Sequence, residues 1–458
     1  MPVDGLAVEQ DFVGFRTALS AAGAGLFAAS GAPVFAARAP GRLDVMGGFA
    51  DYSGSLVAEM PLRQAAVVGA QRDDASEGAV TVFTANADEA DLTARVELPA
   101  ELFINPVSLL RWVREAPEAS RWAGYVAGAF SILRAEGLLP RRVGARIFVR
   151  SDIPIGAGVA AGAAIGVATM HALCAAFAIP MTDGLTLARL CQRIENEIID
   201  LPASIVDPAT VTLSEADSLF LLLCQPCQVQ GNLPLPAGWS IFGIDSGIKR
   251  RDSLYNRIRT AAFMGYKVLA DRAGNGFGGY LCNLTPDAYR ALQPERLPAT
   301  MTGAAFLGEH GGIFDTATSV APGETYPVRA AAEHAIQEMA RVTRFAECLR
   351  EGSEGALLEA GIQMLGSHDS YGVCGLGAKE TDLLVADASR YDSVAGARIT
   401  GTGGGGTVCI LCRTDSADRI ARSIADEYQA RTGNTAQILQ GTSPGAMATP
   451  VRKFPVGS

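Results

Sequence analysis

The stretch that most constrains this chain is DIPIGAGVAAGAAIGVATM (152–170), set directly after the alternating segment VGARIFVRS (143–151). The alternation predicts a strand. Glycines among small residues, followed by an unbroken helix-forming run, then predict a backbone loop feeding a helix. Such a loop can wrap an anion and offer it the free N–H groups of a helix start, because amides and the helix dipole need no side chain. Yet no Ser, Thr, Lys, Asp or Glu lies between Ile153 and Val167. Neither GxxxxGK[ST] nor a dinucleotide fingerprint with its acidic ribose partner is present. Taken alone, the residues leave two readings open, a phosphate cradle and a tightly packed apolar helix.

The rest of the chain is read around that unit. An Ala-rich helix spans about 7–29, and PVFAARAPGR reads as a short strand entering a turn. Segments 79–85 and 92–98 predict a hairpin-like pair of strands, and 122–136 and 185–200 predict helices. Strands follow at 218–224 and 240–246, then a long helix near 253–271. The Gly- and Pro-rich stretch 274–323 resists assignment. Helices near 331–350 and 354–366 precede a strand–helix–strand rhythm made by ARITGTG, GTVCILC, a helix near 416–431 and AQILQG. Helices and strands in mixed order, with hairpins, predict an α+β architecture in preference to a doubly wound sheet. A boundary near 230–250 gives two domains, 1–240 and 241–458, consistent with a 458-residue length.

Composition narrows the function classes. The net charge is −10 with 38 basic residues against 48 acidic ones, which disfavours nucleic acid and anionic membrane as partners. No apolar run is long enough to span a bilayer, and the acidic N-terminus is unlike a secretory signal. Nine cysteines, scattered through apolar segments, suit free thiols in a reducing cytoplasm. The CxxC spacings at Cys224–Cys227 and Cys409–Cys412 lack the four converging ligands of structural zinc, so no residue is assigned to a metal. Oligomeric state is not specified by any of this.

Three further segments carry candidate chemistry. APGRLDVMGGFADYSGSLVAEMPL (39–62) gathers Arg42, Asp44, Asp51 and Tyr52 among four glycines, where polar loop residues serve either as ligand contacts or as a solvated turn. ITGTGGGGTVCILC (399–412) has a glycine run that permits close backbone approach or simply makes a flexible tip. In IENEIIDLPASIVDPATV (194–211), Asp207 sits among apolar neighbours just before Pro208, a setting for a base or for a helix cap.

Together and in this order, the four segments resemble those of the GHMP kinases, the superfamily of galactokinase, homoserine, mevalonate and phosphomevalonate kinases. GRLDVMGGFADYSGSLV, CQP (224–226), GIDSGIKR (243–250), AAFMGYK (261–267), YLCNL (280–284) and SHDSYGVCGLG (367–377) are similar to the L-arabinokinase branch beside galactokinase. The resemblance covers about residues 39–412. It implies a two-domain GHMP fold with the active site between the domains, ATP as cofactor, and a monosaccharide, L-arabinose-like, phosphorylated at its anomeric hydroxyl. Arg42 and Asp207 would then be the catalytic pair, with Asp44, Gly48, Asp51 and Tyr52 on the sugar. Gly156, Gly158, Ala160, Ala161, Gly162, Gly403, Gly404 and Gly405 would cradle the nucleotide. Gly48 stands where galactokinases carry a Glu for the hydroxymethyl end of a hexose, which fits a pentose.

The chain also departs from the family pattern. Relatives read approximately PxGxGVSSSAAVEVATM where this chain has Ala160, Ala161 and Gly162 for the serines and Gly166 for the glutamate, the residues that usually contact Mg²⁺ and the phosphates. Near Asp207, relatives read about GxPCGxMDQ. Here Asp200, Ala203, Ser204 and Pro208 replace Gly, Cys, Gly and Gln, and Asp200 is expected to put negative charge where phosphate would lie. Two expectations follow: a kinase with altered metal binding, or a non-kinase homologue, sensor or ATP-independent enzyme, that keeps the sugar side.

Overall fold

The computed structural model describes residues 3–22, 25–27, 32–250 and 252–455. Helix Val3–Ala22 opens the chain, so the predicted helix ends earlier than residue 29; residues 23–24 and 28–29 of that prediction lie outside the described residues. Eight strands form the larger sheet: β1 (Val34–Met46), β2 (Leu56–Asp73), β3 (Val80–Thr84), β4 (Arg95–Leu98), β5 (Gly144–Ser151), β6 (Ser218–Leu223), β7 (Gln228–Pro234) and, at the far end of the chain, β14 (Arg452–Phe454). Their order is β14-β1-β2-β5-β3-β4, and β6, with β7 beyond it, adds to the first half of β2. All pairs are antiparallel except β3 with β5. β8 (Trp239–Asp245), β11 (Val394–Ile399), β12 (Thr407–Arg413) and β13 (Gln437–Leu439) form the second sheet, ordered β11-β12-β8-β13. A two-residue pair, β9 (Met301–Thr302) with β10 (Thr325–Tyr326), stands apart.

Residue 240 falls inside β8, and β14 returns from the C-terminal part of the chain to the first sheet. β1 corrects the sequence reading. It runs unbroken as a strand from Val34 through Pro40 and Gly41 to Met46, so Arg42 and Asp44 sit on a strand and not in a loop. Pro40 and Gly41 read as a stop because such residues usually punctuate strands. Here they are accommodated by register shifts against β2 between Pro40 and Arg42 and again between Asp44 and Met46. Bulges of this sort re-aim side chains beside functional sites. Only Gly47–Ser55 remains as a turn, with a single helical turn at Asp51–Ser53.

The glycine loop does lead into a helix, Ala161–Ala176, which packs across β1 and β2. Its inner face of Ala, Val, Met and Leu joins one apolar core with the sheet, and small residues there let helix and sheet approach closely. Helix Gly184–Arg193 continues into a wider π turn, Ile194–Ile199. Helices Val328–Glu351 and Glu354–Cys374 pack on each other, the latter also on β11. The stretch 274–323 contains short helices, among them Pro286–Ala291 and Gly303–His310. Among the described residues no helix is long and apolar enough to cross a membrane.

Candidate active site

Arg42 and Asp207 meet although 165 residues separate them. Arg42 Nη2 and Nε donate to Asp207 Oδ1 at 2.7 and 2.9 Å. Nη1 donates to the Gly158 carbonyl of the glycine loop at 2.7 Å, and the Arg42 backbone N–H donates to the Val159 carbonyl. Gly41 makes this approach possible, because a Cβ there would lie 2.9 Å from the Val159 oxygen. Burial works against the Arg42 charge, but the neighbouring acidic groups, Asp207 foremost, outweigh it and hold the guanidinium protonated. Asp207 lies in the first turn of helix Val206–Leu213, with Pro208 where a missing N–H costs no helical bond.

The pair opens onto a pocket lined also by Asp44, Gly48, Phe49, Asp51, Glu59, Glu195, Ser204, Arg250, Tyr255, Gly401 and Thr402. Asp51 is half-buried, and desolvation raises its carboxyl pKa against the opposing effect of the neighbouring Ser204 hydroxyl. Asp44 is engaged within the protein: Oδ1 accepts from Gly48 N–H and from Arg398 Nη1, and Oδ2 accepts from Gly401 N–H. A Cβ at Gly48 would come within 1.7 Å of Asp44 Oδ2, so this position has room only for glycine while Asp44 stands where it does.

Tyr52 departs from its expected place. It packs against Phe49, Tyr255 and Phe263, under the Arg259 guanidinium, and is not part of the pocket lining. Asp200 departs too. It has left-handed backbone, leaves the helix C-terminus and pairs with Arg114 at the surface, away from the pocket. Ser204, in contrast, lines the pocket.

The two glycine segments come together backbone to backbone. A Cβ on Gly401 would lie 3.0 Å from the Gly158 oxygen, and one on Gly406 2.6 Å from the Ala157 oxygen, while Thr407 Oγ1 donates to the Ala157 carbonyl. Gly156 lies against the stem of Lys249, and its carbonyl accepts the Arg250 N–H. Gly403, Gly404 and Gly405 pack instead on the backbone of Leu376 and of Ile248–Lys249. Ala160 takes a left-handed conformation at the helix start, and Ala161 follows it, half-buried. At Gly162 a Cβ would meet the Tyr125 ring at 2.4 Å, so an aromatic side chain occupies the space a serine there would use.

Sequence reasoning missed Glu59 and Glu195. Glu195 is 8% exposed, on the π turn, with Oε2 buried and without a hydrogen-bond partner. Burial, then the Asp207 charge, pushes its pKa up to about 8, against the opposing effect of Arg250. π turns of this kind recur at functional sites. The available signal was two glutamates inside an apolar helical face, IENEII.

The N-terminal domain of GHMP kinases matches residues 124–215, the C-terminal domain matches 345–430, and the galactokinase galactose-binding signature matches 25–72. L-arabinokinase of Arabidopsis thaliana is 33% identical over 90% of this chain, and the chain spans 46% of that protein's length. Galactokinase of Chloroflexus aurantiacus is 27% identical, covering 90% of this chain and 92% of the relative. In fold, galactokinase of Lactococcus lactis complexed with galactose superposes with a TM-score of 0.75 at 19% identity, over 94% of this chain and 98% of the other. Mevalonate kinase of Methanococcus jannaschii gives a TM-score of 0.56 at 15% identity, over 89% and 98%. With both domains matched in order, the sugar signature ahead of them and the whole fold shared, the chain belongs to the GHMP kinase superfamily, in the branch of the arabinokinases and galactokinases.

Proposed function

We propose that the chain is a sugar kinase that transfers the γ-phosphate of ATP to the anomeric hydroxyl of a monosaccharide, with an L-arabinose-like pentose favoured. The observation that supports this most is the Arg42–Asp207 pair, tethered to the glycine loop and open to the pocket. Arg42 Nε and Nη2 both converge on Asp207 Oδ1, which leaves Oδ2 for the substrate. Asp207 accepts the hydroxyl proton as the sugar oxygen bonds to the γ-phosphorus and the bond to ADP breaks. Arg42 orients Asp207 and stabilises charge at the reacting oxygen. Asp51 accepts from sugar hydroxyls. Gly48, closed over by Asp44, provides no partner for an exocyclic hydroxymethyl. The two glycine segments hold phosphates through backbone N–H groups, between halves that divide near residue 240.

GHMP kinases use ATP with magnesium, and the residues present fit that ion. Glu195 brings an unpartnered buried carboxylate oxygen into the pocket, and magnesium is commonly held by one or two carboxylates with the remaining positions on phosphate and water. Bound there, the ion would neutralise phosphate charge. Glu195 would then hold it and be held ionised by it.

A second reading, a homologue that binds sugar without transferring phosphate, is favoured by one observation. The start of helix Ala161–Ala176 offers no hydroxyl, and Tyr125 fills the space at Gly162. A single panel separates the two: thermal shift and ADP release with Mg-ATP and a set of pentoses, hexoses and nucleosides. The kinase reading expects saturable ADP release with a pentose, reduced about 10²–10⁴-fold by Asp207→Asn. Sugar-induced stabilisation with no ADP release would instead establish the sensor.

A further inference from the structure

Asp44 on β1 and Glu59 on β2 are direct cross-strand partners, and each is only 1% exposed. Two like charges set opposite each other in a buried sheet are destabilising, so a pair of this kind has to be relieved by partners or by a proton. The partners are unevenly shared. Asp44 receives Arg398 and the N–H groups of Gly48 and Gly401. Among the described residues, Glu59 has one ion-pair partner, Arg42. Its Oε2 lies 3.1 Å from Arg42 Nε, but that N–H is aimed at Asp207, and Oε2 is buried with no hydrogen-bond partner. Three acidic groups, Asp44, Glu59 and Asp207, thus stand around two guanidiniums, Arg42 and Arg398, and Arg398 also faces Glu338.

We propose that Glu59 is a substrate-binding residue that presents its carboxyl as the neutral acid, donating a hydrogen bond to an acceptor-only oxygen of the substrate such as a sugar ring oxygen. The other carboxyl groups of the pocket, Asp44, Asp51, Glu195 and Asp207, suit hydroxyl donors, whereas a neutral Glu59 would add a donor beside those of Ser204, Arg250 and Thr402. A neutral carboxylic acid in a buried site can donate a hydrogen bond in this way. The groups facing Glu59 agree. Burial first, then the Asp44 charge, raise its pKa; Arg42 and Arg398 oppose, and Asp207 adds to the rise. Cys224, beyond β6, is a further titratable neighbour, and burial raises its pKa and keeps its thiol neutral. The inference rests on the sugar-kinase reading for the identity of the ligand and goes beyond it in the residue and its protonation state.

Two measurements on the full chain test it. The first is sugar affinity, read by calorimetry with L-arabinose and D-galactose as probes, for the wild type, Glu59→Gln and Glu59→Leu. Leu removes the donor and is expected to weaken binding roughly tenfold, whereas Gln restores a donor and recovers most of the loss. Wild-type binding should weaken as pH rises and Glu59 ionises, and Glu59→Gln should abolish that alkaline loss. The second needs no ligand. A carboxyl held neutral in the fold but ionised in the unfolded chain lowers stability as pH climbs above the ordinary carboxylate range. The Tm of Glu59→Gln should therefore exceed that of the wild type, by a margin that grows from acidic to mildly alkaline pH. A lower Tm for Glu59→Gln would mean an ionised Glu59 paired with Arg42 and would overturn the proposal. Sugar binding with Gln and Leu equally impaired would overturn it while leaving the sugar reading intact. No binding of either sugar by the wild type would remove both.

Discussion

Gly48 and Asp44 act as one unit. The carboxylate occupies the place of a side chain at residue 48, and Arg398 with two backbone N–H groups keeps it there. Even a methyl at position 48 must displace Asp44 and loosen its contact with Arg398. Gly48→Ala is therefore expected to destabilise the protein by about 1–3 kcal/mol, read by urea unfolding; an unchanged midpoint would show that Asp44 moves freely. Glu195 makes a second prediction at this scale. Its pKa is raised to about 8, so the folded protein binds its proton more tightly than the unfolded chain. The stability this contributes is full below the ordinary carboxylate range and is lost as pH rises through about 8. In the absence of metal, Glu195→Gln should flatten that decline in Tm, and Mg²⁺ should steepen the difference between the two proteins in favour of the wild type.

At the scale of elements, the strand–loop–helix unit at 144–176 was legible, and so was its neighbourhood. Glycine spacing and an apolar run are local signals, and the loop does lie against Arg42 and the second glycine segment. Arg42 and Asp207 were legible for another reason, the resemblance of their segments to those of the GHMP kinases; their own residues left a ligand contact, a solvated turn, a base or a helix cap open. What was not legible depends on distant partners. β1 passes through Pro40 and Gly41 because β2 tolerates two register shifts. Tyr52 turns away from the pocket because Phe49, Tyr255 and Phe263 are there to receive it. Glu59 was hidden at the apolar end of the 39–62 segment, and only its pairing opposite Asp44 gives it meaning. The missing serine at Gly162 has a cause of the same kind, since Tyr125 on a separate helix fills its space. Gly162→Ser should thus cost about 1–3 kcal/mol from overpacking, measured by denaturant unfolding. If it costs nothing and raises nucleotide affinity, the helix start is a cradle that lost its hydroxyls without structural reason.

Over the whole molecule, the two sheets are joined through the site itself. Arg398 of β11 reaches Asp44 of β1 and the carbonyls of Asp44 and Val45, and Thr400 accepts the Asp44 N–H. Helix Val328–Glu351 adds Glu338, which accepts from Gly47 N–H and Ser367. Removing one partner of such a buried pair costs about 3–5 kcal/mol, so Arg398→Met is expected to lower the melting temperature and sugar affinity together. The proposed transfer of phosphate to a sugar at this joined site is tested by phosphorus NMR of a reaction with Mg-ATP and L-arabinose. The spectrum should show ADP together with one new phosphate ester on the anomeric oxygen, absent with Asp207→Asn. A sample in which L-arabinose demonstrably binds, ATP stays intact and no new ester signal appears would contradict it.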